Sequence, residues 1–358
     1  MAKYSLPQPI PLPNPYSLFR GFNFIRPIKI ENSGAVLKDY QVKITLTQDN
    51  FPFEKCRPDG ADIRFRADSG ETVSYWIESW SNNQATIWCK VPYIPEESST
   101  FLWMVYGNPT AESRSNISQT FIRVINGAQS LKCSWHFDEN SGSTAYDSSG
   151  NDNDGSLGNT PLWVSGKFRT ALKFNGGNTY VEKSNPSFLP MSASQPRSYV
   201  MWIKIFSTEL YDRLVSFNSD FDDGAGMEFA INGANDQLAF FDGAWHDAGS
   251  SGAIGMDIWS HVALTFNGST AKIYKNNSAV LSVSSDGIEN KDKITVGNRA
   301  GYYNEGIDGI IDEFFLFNKE LSPEEMSDLY NYYGYSTTNY PGRVLIRQYT
   351  YPEPIIIL

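Results

Sequence analysis

The stretch that decides the fold, residues 309–330, reads GIIDEFFLFNKELSPEEMSDLY. Its first part is rich in β-branched and aromatic side chains, which predicts a buried strand. Ser322 then provides an N-cap, Pro323 suits the first helical position, and Glu325 closes an S-x-x-E capping box. The sequence therefore predicts a strand followed directly by a short helix, and no other segment indicates a helix as clearly.

Short runs of β-branched and aromatic residues, broken by turn signals, precede this stretch along most of the chain. Their lengths predict a large sandwich over residues 135–335 and a smaller one over residues 18–125, separated by a linker at 126–134. The chain begins with a proline-rich extended arm, residues 1–17, and ends with an extended tail, residues 336–358. We therefore predict an all-β chain of two antiparallel β-sandwich domains with one short C-terminal helix.

The composition excludes several classes of protein. Among 358 residues, 29 Lys and Arg stand against 40 Asp and Glu, so the net charge is −11. Because a protein that neutralises phosphates needs a basic face, we expect no nucleic-acid partner. No apolar run reaches the roughly 20 residues that span a bilayer, so we expect no membrane insertion. The 3 cysteines show no CxxC spacing, which excludes a disulfide scaffold and a zinc ribbon.

Five motifs in the second domain together carry a resemblance to a known superfamily. They are WHFDENSGSTAYDSSGNDNDGSL (135–157), GKFRTALKFNGGNTYVE (166–182), VMWIK (200–204), WSHVALTFNGSTAKIYKNN (259–277) and GIIDEFFLFNKELSPEEMSDLY (309–330). In this order they resemble the laminin-G-like branch of the concanavalin A-like lectin/glucanase superfamily. The resemblance implies that residues 135–335 form a concanavalin A-like jelly roll of two antiparallel sheets.

The first domain carries a resemblance of its own. The motifs PDGADIRF, SYWIESW and TIWCKVPYIP are similar to those of an uncharacterised β-domain family. That family often precedes lectin-like modules in archaeal and bacterial surface proteins. The resemblance implies a β scaffold and no chemistry, since the role of the family is itself undefined.

A structural calcium ion is what the first resemblance implies as a cofactor. Members of the superfamily often hold calcium between an early strand and the last one, and the matching positions are Asp138, Asp312 and a carbonyl near Gly176. Calcium takes about six to eight oxygen ligands, which carboxylates and carbonyls supply. The alternative is that both aspartates cap turns or pair with lysine. The run DSSGNDNDG (147–155) superficially resembles an EF-hand loop but lacks its final Glu, which favours a surface turn.

The sequence argues against an enzyme. A glucanase of this superfamily needs two carboxylates on one strand face, one to attack and one to protonate. Asp312 and Glu313 are the acidic residues of the last strand, and immediate neighbours on a strand point to opposite faces. We therefore predict that the protein has no catalytic residues, with glycoside hydrolase as the disfavoured alternative.

Strand parity predicts a binding rim at one end of the second domain. If the strands from residue 198 onward alternate in direction, the loops 219–226, 243–258, 277–278 and 299–308 share one end. Rings, carboxylates and amides together are found at glycan sites and at protein interfaces alike. The alternative is that the rings fold onto the sandwich as loop plugs. The predicted glycan- or partner-binding residues of this rim are Phe221, Asp222, Asp223, Trp245, His246, Asp247, Tyr302, Tyr303, Asn304 and Glu305.

These observations favour a non-enzymatic structural or adhesion component of an extracellular assembly. The N-terminal residues show no signal peptide, which favours a virion fibre, spike or decoration protein over a secreted cell-surface one. Residues 1–17 and 336–358 are then expected to pack against something, either their own domains or other copies and neighbouring assembly proteins. The alternative is a calcium-dependent adhesin that binds cell-surface glycans, or a surface-filament subunit of a cell.

Overall fold

The computed structural model describes residues 21–125, 130–217, 226–301 and 303–358. The chain divides into two compact units. The first takes the chain up to Ile122 together with Gln348–Leu358, and the second is Arg123–Arg347. The boundary therefore precedes the predicted linker, and the predicted C-terminal tail is shared between the units. The predicted arm at residues 1–17 lies outside the described residues.

The first unit contains a short helix, α1 (Ile117–Thr120), a 3-10 turn (Phe53–Lys55) and antiparallel strands. Alternation in its second strand sends Val42, Ile44 and Leu46 into the core, as expected for a strand with one wet face. The first six strands are β1 (Phe24–Asn32), β2 (Leu37–Thr47), β3 (Arg64–Ala67), β4 (Thr72–Trp80), β5 (Gln84–Ile94) and β6 (Ser98–Tyr106).

The second unit contains one longer helix, α2 (Pro323–Asn331), a 3-10 turn (Gly249–Gly252) and many short strands. The strands are β7 (Arg123–Ile125), β8 (Leu131–Trp135), β9 (Thr144–Ala145), β10 (Gly155–Gly158), β11 (Leu162–Ser165), β12 (Thr170–Asn175), β13 (Tyr180–Ser184), β14 (Arg197–Ser207), β15 (Asp212–Phe217), β16 (Glu228–Asn232), β17 (Gln237–Phe241), β18 (Trp245–Asp247), β19 (Trp259–Phe266), β20 (Thr270–Lys275), β21 (Ser278–Ser284), β22 (Lys293–Val296), β23 (Asp308–Phe317), β24 (Tyr333–Tyr335) and β25 (Val344–Arg347).

Two antiparallel sheets of the second unit enclose one hydrophobic core. Sheet A has the order β18-β17-β16-β15-β22-β13-β10-β9, and sheet B has the order β11-β12-β23-β14-β19-β20-β21 with β8 also paired to β23. Trp135, Phe174, Phe229, Leu264 and Phe314 are fully buried between them. The stretch at residues 309–330 supplies nearly all of β23, which lies inside sheet B and is apolar along most of its length.

The outer face of sheet B is covered by α2 and by a small three-stranded sheet of the order β24-β25-β7. Met326 and Leu329 of α2 pack in one cluster with Phe315 of β23. Ser322 accepts a hydrogen bond from the Glu325 backbone, and the Glu325 side chain accepts one from the Ser322 backbone. Both bonds of the predicted capping box therefore form, and they fix the start of the helix.

The last strand, β26 (Ile355–Ile357), returns to the first unit and pairs with β1. The result is one seven-stranded sheet, in the order β2-β5-β4-β3-β6-β1-β26, around a single core that Ile356 and Leu358 also contact. The prediction of an all-β chain built from antiparallel sheets is confirmed. Neither helix among the described residues has the length and apolar character needed to cross a membrane.

Candidate functional site

Sheet A presents a polar and aromatic outer face. In β16, Phe229 and Ile231 point into the core, so Glu228 and Asn232 lie on the opposite face. The same alternation continues in β17, where Phe240 belongs to the core and Phe241 does not. The face therefore combines charged, amide and aromatic side chains on a rigid sheet.

Three partly exposed rings form what we call the aromatic ridge, namely Tyr211, Phe241 and Trp245. Phe241 and Trp245 are paired across β17 and β18, with ring centroids 5.3 Å apart. Tyr211 stacks on Trp245 with a centroid separation of 3.9 Å and an interplanar angle of 18°. Tyr211 has a φ of 59°, and Arg213 donates to its carbonyl oxygen. This hydrogen bond holds the ring pair at the entry to β15.

A cluster of ionised side chains, of which Arg213 and Glu228 are buried, lies beside the ridge. Arg213 donates from Nε to Glu228 across 2.7 Å and pairs through Nη2 with Glu305 at 2.8 Å. Arg299 pairs with the same Glu305 at 2.9 Å. Burial raises the pKa of Glu228, and the charge of Arg213 opposes that shift. Arg213 also lies 4.7 Å from the Trp245 ring centroid, so one guanidinium connects the ion cluster to the ridge.

A second aromatic pair lies further along sheet A. Tyr303 stacks on Tyr180 with centroids 4.0 Å apart, and its hydroxyl donates to Glu182 across 2.6 Å. Burial and the neighbouring carboxylate of Glu182 raise the pKa of Tyr303. Lys293 donates to both carboxylate oxygens of Glu182 at 3.2 Å. Gly158 lies opposite Tyr180, and a Cβ there would collide with the tyrosine ring.

The predicted rim residues of the 243–258 segment lie in a strand. Trp245, His246 and Asp247 form β18 at the edge of sheet A. His246 stacks on Phe240 with centroids 4.6 Å apart, and its Nε2 lies 2.8 Å from an Asp242 carboxylate oxygen. Asp247 accepts a hydrogen bond from Asn232 across 3.0 Å. Trp245 therefore contributes to the ridge, while His246 supports the strand that carries it.

The loops grouped by strand parity do not all lie at one end of sheet A, although Trp245 and Glu305 of the predicted set both contact Arg213. β15 and β22 are antiparallel neighbours, with Val215 opposite Val296 and Phe217 opposite Ile294, so the chain leaves them at opposite ends of sheet A. The difference from the prediction arises because β18 is an additional strand that the count of alternating strands did not include. Every later strand therefore runs in the direction opposite to the predicted one. Tyr303 and Glu305 contact sheet A and Asn304 is exposed. Four further predicted residues lie outside the described ones: Phe221, Asp222, Asp223 and Tyr302.

The three residues expected to hold calcium do not come together. Asp138 pairs with Arg169 at 2.8 Å, and Asp312 accepts from the Phe168 backbone at 2.9 Å. Gly176 directly follows the last residue of β12. Leu172, near the start of β12, pairs with Ile311, the residue before Asp312. At about 3.3 Å per residue, Gly176 lies more than about 10 Å along the strand from Asp312. Within the described ranges, no three His, Cys, Asp or Glu side chains are arranged to hold a metal ion.

The EF-hand-like run at 147–155 supports the fold from inside. Asp147 is buried and accepts hydrogen bonds from the backbone of Ser134 and Ser149 at 2.9 Å each and of Asn153 at 3.0 Å. Its carboxylate oxygens are thus used by backbone donors. The run forms a turn, as predicted, and Asp152 and Asp154 are exposed. Asp147, Ser149 and Asn153 are buried, so these side chains join two parts of the second unit.

Asp312 and Glu313 point to the same side of sheet B, contrary to the prediction of opposite faces. Ile311 and Phe314 both belong to the core, and Glu313 has a φ of 54° at a register shift between β14 and β23. This β-bulge interrupts the alternation, so both carboxylates leave the core. Both are almost fully buried, which raises both pKa values well above the usual range, and the Glu313 carboxylate raises that of Asp312 further.

The residues that organise the ridge are not among those predicted from the sequence. They are Tyr211, Arg213, Glu228 and Arg299, and the sequence pattern around two of them indicates their role. Arg213 begins the otherwise apolar run RLVSF, and Glu228 interrupts MEFAI. Opposite charges inside two consecutive apolar strands indicate a buried ion pair, since buried charges are almost always paired.

Two family models match the chain. A domain of unknown function (DUF2341) matches residues 59–149, and the concanavalin A-like lectin/glucanases superfamily matches residues 175–327. Both resemblances drawn from the sequence motifs are thereby confirmed. No curated protein matches the chain.

Several solved structures are similar to part of the chain. Domain 4 of AbnA, a GH43 extracellular arabinanase from Geobacillus stearothermophilus in complex with arabinotriose, shares 20% identity over 56% of this chain and 98% of its own, with a TM-score of 0.45. The binding domain of botulinum neurotoxin serotype D shares 19% over 56% and 50%, with a TM-score of 0.44. The binding domain of Paraclostridial Mosquitocidal Protein 1 shares 18% over 56% and 52%, also at 0.44. The match thus covers about half of each toxin domain.

Proposed function

We propose that this chain, which carries a DUF2341 domain followed by a concanavalin A-like lectin/glucanase domain, is a non-catalytic protein that binds a glycan on the aromatic ridge. One observation carries the proposal. Tyr211 and Trp245 are stacked, partly exposed and held by Arg213 on the outer face of sheet A. Such rings give a sugar an apolar surface that is already in place before binding.

The surroundings of the ridge suit a polyhydroxylated ligand. Asp247 is exposed beside Trp245 on β18, and Asn304 is exposed in the loop that follows β22. Carboxylates and amides of this kind accept and donate hydrogen bonds to sugar hydroxyls. Because Arg213 and β18 fix the rings, binding a sugar on the ridge costs little side-chain entropy.

The carboxylates of the second unit support a non-catalytic role. Glu228 and Glu305, which lie beside the ridge, are both ion-paired with Arg213. Asp312 and Glu313 share one side of sheet B, but both are almost fully buried. Hydrolysis of a glycosidic bond needs a pair of carboxylates that flank the substrate. We therefore include the absence of glycoside hydrolase activity in the proposal.

The proposal keeps the extracellular setting expected from the sequence, on a virion or on a cell surface. We no longer assign the C-terminal tail to contacts between copies, because its strands Val344–Arg347 and Ile355–Ile357 already pair within the chain's own units. Contacts between copies would then use other surfaces. The glycan-binding role does not depend on which of the two settings applies.

A glycan array probed with the full chain tests the proposal. We expect Trp245→Ala and Tyr211→Ala to lower retention at least about tenfold, which corresponds to about 1.4 kcal/mol. Tyr146→Ala is the matched control, because Tyr146 is an exposed tyrosine of the same unit outside the ridge. Melting temperatures establish that the variants are folded. Retention of no glycan by the intact chain, or an equal loss in the control, would contradict the proposal.

A further inference from the structure

The first unit contains a cavity of about 630 Å³ that is lined by three arginine side chains, Arg64, Arg66 and Arg114. Arg64 and Arg66 are two residues apart in β3, so they lie on one face of that strand. Both are buried, whereas Arg114 is exposed. In a chain with a net charge of −11, this concentration of positive charge around one cavity needs a physical explanation.

The partners of Arg64 are neutral. Its Nη1 donates to the carbonyl oxygens of Ala61 at 2.8 Å and Ile63 at 2.7 Å and contacts the hydroxyl of Tyr75 at 3.2 Å. Its Nη2 donates to the carbonyl of Glu112 at 2.5 Å. These groups orient the guanidinium but carry no charge. Burying an ion in this way costs free energy that a nearby anion would reduce.

Arg66 is also oriented by the backbone, since its Nε donates to the carbonyl oxygen of Gly70 at 2.9 Å and its Nη2 donates to the same oxygen. The cavity therefore has two guanidiniums that are fixed before any ligand enters. A third, that of Arg114, lies in the exposed segment after β6. Preorganised guanidiniums match the planar, bidentate geometry of a carboxylate better than flexible lysines do.

The rest of the wall suits a small hydroxylated ring. The Phe22 ring lies 5.6 Å from the Arg64 guanidinium carbon and lines the cavity. Thr72 and Asn108 contribute a hydroxyl and an amide to the same wall. The volume lies within the range of about 300–1,000 Å³ that small-molecule sites occupy. Glu112, an exposed acidic residue, also lines the cavity. The apolar ring, the neutral polar groups and the guanidiniums provide contacts for a sugar ring and for an acid group.

We propose that this cavity binds an acidic saccharide of the uronic-acid class, with its carboxylate on Arg64, Arg66 and Arg114. The site lies in the unit that carries most of the DUF2341 match and is separate from the aromatic ridge of the second unit. It therefore assigns a ligand class to a domain for which the family implies none. The proposal does not depend on glycan binding by the ridge.

Isothermal titration of the full chain with glucuronate, glucose, inorganic phosphate and sulfate at constant ionic strength tests the proposal. We expect glucuronate to bind at least about tenfold more tightly than glucose, because a charge-assisted hydrogen bond contributes more than a neutral one. Arg114→Gln is expected to weaken glucuronate binding about tenfold without unfolding the chain, since Arg114 is exposed. Lys38→Gln removes one exposed positive charge elsewhere in the same unit and is expected to leave binding unchanged.

Two results would overturn the assignment. Binding of phosphate or sulfate in preference to glucuronate would replace the saccharide by a free oxyanion. No binding of glucuronate, or equal weakening by Arg114→Gln and Lys38→Gln, would show that the arginines do not form a site. Arg66→Lys adds a second arm, because it keeps the charge and loses the bidentate geometry. We expect it to weaken glucuronate binding while the melting temperature establishes that the chain is folded.

Discussion

Arg213 and Glu228 form a hydrogen-bonded ion pair of 2.7 Å although their side chains are only 6% and 1% exposed. They lie on neighbouring strands, β15 and β16, and face away from the core of the second unit. Arg213 also lies over the Trp245 ring. The residue that neutralises a buried carboxylate thus also positions the aromatic ridge, so stability and the proposed binding surface are coupled through one side chain.

Replacing Arg213 by methionine is expected to destabilise the second unit strongly. The substitution leaves the buried carboxylate of Glu228 without its cation, and breaking a buried pair in this way costs about 3–5 kcal/mol. The double variant Arg213→Met/Glu228→Gln removes both charges and is expected to regain a large part of that loss. Denaturant unfolding of the three proteins measures the difference. A double variant no more stable than the single one would contradict this account of the pair.

The stability of the second unit is expected to fall as the pH decreases below about 6.5 because of His261. Burial, with a smaller effect of Lys167, lowers the pKa of His261 from 6.5 to about 3. Between these values the unfolded chain binds a proton at this residue and the folded chain does not. The free energy of unfolding therefore decreases with falling pH, by at most about 1.4 kcal/mol per unit for one proton.

His261→Phe tests this pH dependence. The ring of His261 packs against Trp202 and Tyr330, with centroids 5.1 Å and 5.8 Å away, so phenylalanine can occupy the same space. We expect the free energy of unfolding of the variant to depend less on pH between 6.5 and 4 than that of the unmodified chain. Denaturant unfolding at several pH values gives both curves. Parallel curves would mean that His261 does not titrate differently in the folded state.

Local signals predicted the parts of the fold that local interactions determine. The capping box of Ser322 and Glu325 is formed within four residues, and the alternation of Val42, Ile44 and Leu46 is a property of one strand. Such features can be predicted without knowing which distant residues pack against them. The architecture of the second unit was identified in a different way, because the motifs of the concanavalin A-like domain can be recognised in the sequence itself.

Features that depend on short strands and on pairing between strands were not predictable from these patterns. β18 pairs with the preceding strand, β17, but at three residues it is too short for its side-chain pattern to indicate a strand. The bulge at Glu313 arises where β8 and β12 pair with different parts of β23. The additional strand β18 makes the positions of the later loops differ from the predicted rim. The bulge shifts β23 by one residue, which reverses the side-chain faces, so Asp312 and Glu313 do not lie where the sequence predicted. Arg213 and Glu228 could have been found as opposite charges in consecutive apolar strands.

Calcium is expected to have little effect on the second unit. Asp138 already pairs with Arg169, Asp312 accepts a backbone hydrogen bond, and Gly176 lies towards the other end of β12. An ion at this place would have to deprotonate Asp312, whose pKa burial raises. We therefore expect the melting temperature to agree within about 1 °C in calcium and in a chelator. A fall of several degrees on chelation, reversed by calcium, would establish a site with other ligands.

The last strand is expected to stabilise the first unit through one side of its isoleucine run. Ile356 packs against the core of that unit, whereas Ile355, its neighbour, is 62% exposed. Ile356→Ser is therefore expected to lower the free energy of unfolding by about 1–3 kcal/mol, and Ile355→Ser to change it by at most about 0.5 kcal/mol. Hydrogen exchange of the β1 amides that pair with β26, around Ile30, localises the effect. If the tail served instead to join copies of the chain, Ile355→Ser would change the oligomeric state in light scattering and Ile356→Ser would leave β1 protected.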